Sequence, residues 1–438
     1  MKVLFVSSYK IRCGIASFTD TLESLLQGEV DYDVFVLDQF VLRNAAPNVN
    51  RVGDQAIKRL CDEVIPKFDV INLQWEPGLL GLTLKQILRR TKMIFGACIK
   101  HKKHLVVTAH TVLVQPVRPS LLSVLYNLRK DRNGLFRYIR AGLSSYVRQT
   151  NALLRWVDRE GKLTLVAHTA RDRRFFCYVV GLKRVVDHPL SYMRAGWVEQ
   201  LVKENGIKRQ EFENIAGTGK KFVVVYGFLS DYKGVETAIN SMRYLPDDYV
   251  LLIYGGVHNA NFKKFQKVNP YVEKLMKAVE GDREVQERIA KLGRTGLRPT
   301  DGEQKDLFLE ALSRLHEGSR PLTDRVFFVE APDDFNLARV VSAADVCVLP
   351  HLEVGQSASG VASQAIELGK RTLLSRTRTF SELDEYFANR IEFFEIGNAL
   401  QLSQGISRLM SKNEVGMQGL PYTNATQAEF YKETFQWR

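Results

Sequence analysis

Short apolar runs rich in β-branched residues recur along this chain, and each is followed by a segment whose apolar residues have helical spacing. Six runs lie in the first half and six in the second: 3–6, 34–37, 70–73, 105–108, 163–166 and 184–186, then 222–226, 249–254, 326–329, 346–349, 372–374 and 391–394. Near-continuous apolar strands that alternate with helices are typical of parallel sheets covered on both faces. The sequence therefore predicts an α/β protein with two doubly wound, Rossmann-like domains.

The polar, glycine-containing stretch 198–220 shows no strand pattern and is the predicted domain boundary. It divides the chain into an N-terminal domain (1–197), a C-terminal domain (198–415) and a final helical segment (416–438). Two segments depart from the regular alternation. One is a basic, mostly helical excursion at 112–160, and the other is a helical insertion at 258–320. Because ligands of doubly wound sheets bind at the carboxyl ends of the strands, we expect the site in the cleft between the two domains.

The positive charge of the chain is concentrated in one stretch. The 438 residues include 62 Lys+Arg and 49 Asp+Glu, a formal net charge of +13. Residues 85–160 contain sixteen basic and three acidic side chains, so this stretch accounts for the whole excess. Segregated charge predicts an anionic partner, namely a membrane surface, a nucleic acid or a phosphorylated acceptor. A solvated helical face explains the same run of charge equally well.

Several protein classes are not supported by the sequence. No apolar stretch approaches the roughly 18 residues of a membrane span, and the run at 3–6 is interpreted as a first strand rather than a secretory signal. The five cysteines are far apart and show no CxxC spacing, which argues against a disulfide scaffold or a cysteine-based zinc site and favours a cytoplasmic location. Asp31-Tyr32-Asp33 matches a D-x-D metal motif, but it precedes the second predicted strand and so lies at the wrong end of the sheet. No metal is expected.

Three loops that follow predicted strands have the composition of an anion site. Gly14 opens a helix after the first strand, where a glycine allows close approach of a ligand, although no GxGxxG fingerprint is present. Lys233 precedes Gly234 at another helix start, where an ammonium group can meet phosphate oxygens. Ser359-Gly360 opens a third helix and offers backbone N–H groups to a diphosphate. Gln356 and Gln364 flank this helix start and are suited to sugar hydroxyls.

The order of these motifs resembles the family 4 nucleotide-sugar glycosyltransferases. The resemblance rests on Gly14-Ile15-Ala16, Gln74–Gly78, Thr108–Thr111, Tyr232–Glu236, and Ala344–Val346 with Pro350. The stretch from Gln356 through Ser359-Gly360 to Gly369 is similar to one branch of that family. The resemblance implies the GT-B fold, with two Rossmann-like domains facing across a cleft and a last helix that returns to the first domain. It also implies retaining, hexosyltransferase-like chemistry on a nucleoside-diphosphate sugar, with no cofactor.

The resemblance further assigns roles to individual residues. His110 would lie near the transferred sugar, and Lys233 would contact the donor diphosphate. The other implied donor-binding residues are Gly14, Ile15, Phe228, Gln356, Ser357, Ser359, Gly360, Val361 and Gln364. The sequence departs from the family pattern at three of these positions. Gln356 and Gln364 stand where many members carry glutamate, and Phe228 stands where many carry an arginine.

Three functions are compatible with these features. The favoured one is sugar transfer to a hydroxyl of a lipid-linked or surface-glycan acceptor, in polysaccharide biosynthesis at the inner face of a membrane. A surface formed by Arg118, Arg129, Lys130, Arg132, Arg137 and Arg140 would then dock on anionic lipid. The second function is the same chemistry on a nucleic-acid base, because aromatic residues interleave with these arginines. The third is a non-catalytic scaffold or nucleic-acid-binding protein. The donor, the acceptor, the linkage and the oligomeric state are left open.

Overall fold

The computed structural model describes residues 1–11, 13–112, 145–256, 269–281, 321–329, 333–354, 358–387, 390–412 and 420–436. The chain forms two compact units. The first comprises Met1–Arg194, Gln356–Ala358 and Asn424–Arg438, and the second comprises Ala195–Gly355 and Ser359–Thr423. Most of the basic excursion and most of the insertion at 258–320 lie outside the described residues. The described helices include none that is long and apolar enough to cross a bilayer.

The first unit is built on a six-stranded parallel sheet with the order β2-β1-β3-β4-β5-β6. The strands are β1 (Lys2–Ser7), β2 (Asp31–Val36), β3 (Val70–Trp75), β4 (His104–Ala109), β5 (Leu163–Ala167) and β6 (Val185–Asp187). The helices are α1 (Gly14–Leu26), α2 (Gln39–Leu42), α3 (Pro47–Arg59), α4 (Leu84–Lys100), α5 (Ser145–Arg159), α6 (Ala170–Arg174) and α14 (Asn424–Gln436). Shorter 3₁₀ and π turns lie at Leu60–Val64, Ile65–Lys67, Pro77–Leu80 and Phe175–Val180.

Each face of this sheet is covered by helices, which explains the unbroken apolar runs in its strands. Val3 to Val6 are all buried, with alternate side chains on opposite faces. On one face α1 and α14 contribute Phe18, Tyr431 and Phe435 to the core. On the other face the core includes residues of α3, α4 and α5.

The Asp31-Tyr32-Asp33 motif lies inside β2, not before it as the sequence pattern predicted. Asp31 pairs with Lys2 and Asp33 with Leu4, so the motif occupies the amino end of the sheet. Ligands of such sheets bind at the opposite, carboxyl end. The described residues contain no group of three or more potential ligands that could hold a metal ion.

The second unit is built on a parallel sheet with the order β12-β11-β10-β7-β8-β9. Its strands are β7 (Lys221–Tyr226), β8 (Tyr249–Tyr254), β9 (Val326–Val329), β10 (Val346–Leu349), β11 (Thr372–Ser375) and β12 (Ile391–Phe394). Its helices are α7 (Trp197–Ala216), α8 (Val235–Ser241), α9 (Pro270–Glu280), α10 (Asp334–Ala343), α11 (Gly360–Glu367), α12 (Arg378–Tyr386) and α13 (Ala399–Met410), with 3₁₀ turns at Asp231–Lys233 and Met242–Tyr244. Counted from β7, this is the 3-2-1-4-5-6 order of the Rossmann fold, which reverses between β7 and β10. The two predicted six-stranded sheets are thus confirmed.

A fully buried arginine joins three segments of the first unit. The guanidinium group of Arg90 donates to the backbone oxygens of Leu42 and Leu80 at 2.9 and 2.8 Å, and its Nε donates to the Asp54 carboxylate at 2.8 Å. Its remaining nitrogen reaches Asn50 on α3. Such a charge is tolerated in the interior because every N–H has an acceptor.

Replacing this arginine should therefore be costly. We expect Arg90→Met to lower the free energy of unfolding by about 3–5 kcal/mol, because it leaves buried acceptors unpaired. The neighbouring Arg89 also pairs with Asp54 but is half-exposed, so Arg89→Met should cost less than about 1 kcal/mol. Urea unfolding followed by tryptophan fluorescence measures both. Equal losses in the two variants would contradict this interpretation of Arg90.

Candidate active site

Two loops of the second unit meet where the strand order reverses. The loop after β7 (227–234) and the loop after β10 (350–354) are joined by a hydrogen bond from Leu352 N–H to the Tyr232 carbonyl, at 2.7 Å. Gly234 has a φ of +59°, and a Cβ at this position would lie 2.1 Å from the Pro350 carbonyl oxygen. Only glycine permits this approach, so Gly234 brings the two loops into contact.

Lys233 is buried at this junction with a relative exposure of 7%. Its Nζ lies 3.1 Å from His351 Nε2 and 5.0 Å from the centre of the Tyr232 ring. None of the described carboxylates lies within ion-pair distance of this amino group. Burial lowers the pKa of Lys233 to about 7, and burial together with the nearby lysine lowers the pKa of His351 well below 6.5. A buried amine without a carboxylate partner is suited to an anionic ligand.

The N-terminus of α11 lies beside this lysine. A Cβ at Gly227 would lie 3.7 Å from Lys233 Nζ and 3.5 Å from the Val361 side chain, so Gly227 is adjacent to both. The Tyr226 hydroxyl donates to the Val361 carbonyl and ties the start of α11 to β7. The N-cap residue Ser359 is 5% exposed, and its hydroxyl has no hydrogen-bond partner within the described part of the chain. First-turn N–H groups and a buried, unsatisfied hydroxyl favour an oxyanion at this position.

The remaining donor residues predicted from the sequence have different surroundings. Phe228 lines the pocket at this junction together with Lys233 and His351. Gln364 is buried on α11, as is Glu367, whereas Glu353 is exposed and accepts the Arg378 N–H at 2.8 Å. Gln356 and Ser357 lie outside the described residues, as do Arg118, Arg129, Lys130, Arg132, Arg137 and Arg140.

Sequence reasoning missed His351. It follows Pro350 at the end of β10, and no motif distinguishes it from the other histidines. Its importance comes from its contact with Lys233, 118 residues earlier in the chain. The one signal in the sequence for His351 was its position: a polar side chain that directly follows a strand lies at the carboxyl edge of the sheet.

In the first unit, His110 lies at the carboxyl end of β4 and terminates a chain of buried side-chain hydrogen bonds. Tyr431 OH contacts Thr108 Oγ1 at 3.1 Å, and Asn72 Nδ2 donates to the same oxygen at 3.2 Å. Asn72 Oδ1 accepts from the Gln74 amide nitrogen, and Gln74 Oε1 lies 2.8 Å from His110 Nε2. Each amide thus has a defined orientation, so His110 Nε2 carries the proton and donates to Gln74. His110 Nδ1 is then available as an acceptor.

A second histidine packs against His110. The rings of His110 and His168 lie 5.2 Å apart, and Phe18 of α1 contacts both. Burial, with the neighbouring histidine, lowers the pKa of His110 well below 6.5, and burial lowers that of His168 to about 4. His168 Nδ1 donates to the His188 carbonyl at 3.2 Å, while its Nε2 is buried with no hydrogen-bond partner among the described residues. Both rings are therefore neutral near pH 7.

The two first-unit donor residues predicted from the sequence lie on α1. The helix begins at the exposed Gly14, and the preceding Cys13 makes no side-chain cap. Ile15 is partly buried against the core of the first unit. The helix start is therefore open, while its second residue has a packing role.

Comparisons with known proteins identify the fold. No protein-family model and no curated protein sequence matches the chain. Solved structures do match it over its full length. HepE from Anabaena, in complex with UDP and glucose, has a TM-score of 0.55 at 13% identity, with 100% of both chains covered. Sucrose-phosphate synthase from Thermosynechococcus elongatus has a TM-score of 0.55 at 15% identity with the same coverage.

A further match is the UDP-forming α,α-trehalose-phosphate synthase from Burkholderia xenovorans, bound to glucose-6-phosphate. It has a TM-score of 0.58 at 11% identity, again with 100% of both chains covered. The fold of the chain is therefore the GT-B fold of nucleotide-sugar glycosyltransferases. Sequence identities as low as these support a shared fold and nothing finer, so membership of family 4 stays a prediction.

The hydrogen-bond chain in the first unit can be tested directly. In protein carrying ¹⁵N-labelled histidine, we expect the His110 ring to be neutral at pH 6 with its proton on Nε2, and Gln74→Leu to abolish this tautomer preference by removing the acceptor. Long-range ¹H–¹⁵N spectra distinguish the tautomers, and His110→Gln assigns the signal. Gln39→Leu is the matched control, since the Gln39 amide bonds to Leu37 and Leu79 instead. A wild-type proton on Nδ1 would refute the proposed chain.

Proposed function

We propose that this protein is a retaining, hexosyltransferase-like glycosyltransferase that moves a sugar from a nucleoside diphosphate to a hydroxyl group of an acceptor. The observation that carries the proposal is the buried Lys233, which has no described carboxylate partner and lies beside the N-terminus of α11 and the unsatisfied Ser359 hydroxyl. A positive charge, backbone N–H dipoles and a hydroxyl group that lie close together suit a diphosphate better than a neutral ligand.

The chemistry follows from what the donor needs. A nucleoside diphosphate is a good leaving group, so the protein must chiefly stabilise the negative charge that develops on it. Lys233 supplies a cation, and Ser359, Gly360 and Val361 supply a hydroxyl and N–H groups. These groups meet the requirement without a metal ion, and the proposal includes none. Retention of configuration rests on the family 4 resemblance.

The sugar and the nucleotide are assigned to polar residues that carry no charge. Gln364 and Gln356 replace the glutamates of many family members and would bind hydroxyl groups of the donor. His110, with Nδ1 as an acceptor, would lie near the transferred sugar. HepE binds UDP and glucose, so uridine nucleotides are the first donors to test.

The acceptor is proposed to be lipid-linked or a surface glycan, reached at an anionic membrane. In the first unit, Phe40 on α2 is 83% exposed, and Leu82 and Leu84 are also exposed. The segments are adjacent, because the Gln39 amide donates to the Leu79 carbonyl at 3.2 Å. The exposed cation Arg43 follows Phe40 by three positions, and the exposed Lys85 directly follows Leu84. Apolar side chains accompanied by basic groups are typical of surfaces that bind anionic lipid.

The donor assignment predicts the behaviour of one variant. We expect Lys233→Ala to lower turnover by about 10²–10³, the cost of removing one group that stabilises transition-state charge. The assay uses UDP-, ADP-, GDP- and dTDP-sugars and contains EDTA, since the proposal needs no metal. Lys221→Ala is the matched control, because the Lys221 side chain is partly exposed and paired with Asp248 at 2.7 Å. Wild-type turnover in Lys233→Ala would exclude this role, and a wild type inert with every donor would favour the scaffold alternative.

The membrane assignment predicts that a second variant loses binding to anionic vesicles. We expect Phe40→Asp to weaken co-sedimentation with phosphatidylglycerol vesicles about tenfold or more, the value of burying one large apolar side chain. Tyr178→Asp is the matched control, since Tyr178 is equally exposed but lies on the turn after α6. Binding to DNA that weakens steeply with salt, with no vesicle binding, would favour the nucleic-acid alternative.

A further inference from the structure

None of the described charged or titratable groups around Lys233 neutralises the positive charge of its amino group. On its own turn, Asp231 is exposed and Tyr232 offers only its ring face. On the loop after β10, Glu353 is exposed and bonded to the Arg378 N–H, so His351 is the polar neighbour. Burial is the one influence on the pKa of Lys233, with no contribution from a charged group.

Of the other elements near Lys233, α8 carries Glu236, but that carboxylate accepts from Lys274 Nζ at 2.6 Å and from the Tyr271 hydroxyl at 2.9 Å. β7 and β8 contribute Tyr226 and Tyr254, whose pKa values are raised by burial, so both phenols are neutral. The acid of α11, Glu367, lies seven residues beyond Gly360, which is about 10 Å along the helix. The described surroundings therefore present this amine with hydrogen-bonding and aromatic groups and no counter-ion.

His351 is held rigidly in its contact with Lys233. Its ring lies 4.9 Å from the Phe380 ring and 5.8 Å from the Tyr232 ring, and its carbonyl accepts the Ser375 hydroxyl at 2.6 Å. An ammonium group has donors only, so a charged Lys233 requires His351 Nε2 as an acceptor, with the imidazole neutral and its proton on Nδ1. Protonation of His351 would place two donors 3.1 Å apart and break the contact.

We propose that His351 is a positioning residue of a proton-linked diphosphate site: its neutral imidazole holds the Lys233 amine in place without a counter-charge, and Lys233 takes up a proton from solvent when a donor diphosphate binds. The diphosphate then becomes the counter-ion that the free site lacks. The proton returns to solvent when the nucleoside diphosphate leaves, so the cycle balances. This inference rests on the proposed function.

The direction of the pH dependence follows from linkage. The pKa of Lys233 in the free site is about 7, and an adjacent diphosphate raises it. Well below pH 7 the amine is already charged, so binding takes up no proton. Well above pH 7 the free amine is neutral and binding takes up close to one proton. Affinity for a diphosphate diester should then fall about tenfold for each pH unit above 7.

Calorimetry of wild-type protein with UDP-glucose measures this uptake. The phosphates of a diphosphate diester do not titrate near neutrality, so the proton count belongs to the protein. Titrations at pH 6 and 8.5, each in two buffers of different ionisation enthalpy, should give close to zero and close to one proton. Binding with no uptake at either pH overturns the proton linkage and leaves the donor site standing. Failure of UDP-, ADP-, GDP- and dTDP-glucose to bind overturns the proposed function as well.

Two variants test the role of His351. His351→Gln retains an uncharged acceptor that can reach Lys233, so we expect the pH dependence of wild type. His351→Leu removes the acceptor, so the onset of proton uptake should move to lower pH by about one unit, with about fivefold weaker binding at pH 7 and about tenfold weaker binding at pH 8.5. A merely structural role would weaken binding without moving that onset. An unchanged onset in His351→Leu, or a shifted one in His351→Gln, overturns the assignment.

Discussion

A parallel sheet must have both of its faces covered by other elements, and the rest of the structure depends on this requirement. Each strand needs a helix before the next one, so the chain alternates and every strand ends in a loop at the same edge. In the second unit that edge contains the reversal of strand order between β7 and β10, where two neighbouring loops separate toward opposite faces. The approach of Gly234 to Pro350 keeps these loops in contact, and Lys233, in the first of them, is buried at their junction.

Burial is also what gives Lys233 its chemistry. An exposed lysine is a hydrated cation with little preference for one anion, whereas a buried amine without a carboxylate gains most from a ligand that supplies the missing charge. The start of α11 has the same character, since the Ser359 hydroxyl lacks a described partner and the first N–H groups of a helix have no acceptor within the helix. Unsatisfied groups of this kind lower the stability of the free protein and favour the bound state, as expected for a functional site.

Two sets of buried polar groups in the first unit behave in the opposite way. Arg90 and the series from Tyr431 to His110 satisfy their hydrogen bonds within the protein, so they define one arrangement of the chain. The series ends on a neutral His110 at the carboxyl edge of the sheet. Tyr431 comes from the last helix, so the residues near the end of the chain help to orient a side chain of β4.

The sequence alone determined the twelve strands of the described residues, their parallel arrangement in two sheets and the loops that carry Lys233 and Ser359. These properties follow from local periodicity and from the position of a residue relative to its own strand. The placement of Asp31-Tyr32-Asp33 inside β2 shows how loosely the same signal defines a boundary. Only the tertiary structure decided that His351 contacts Lys233, that Arg90 is buried and that Gln74 orients His110. These contacts join residues far apart in the chain, and burial and hydrogen-bond geometry have no local signature.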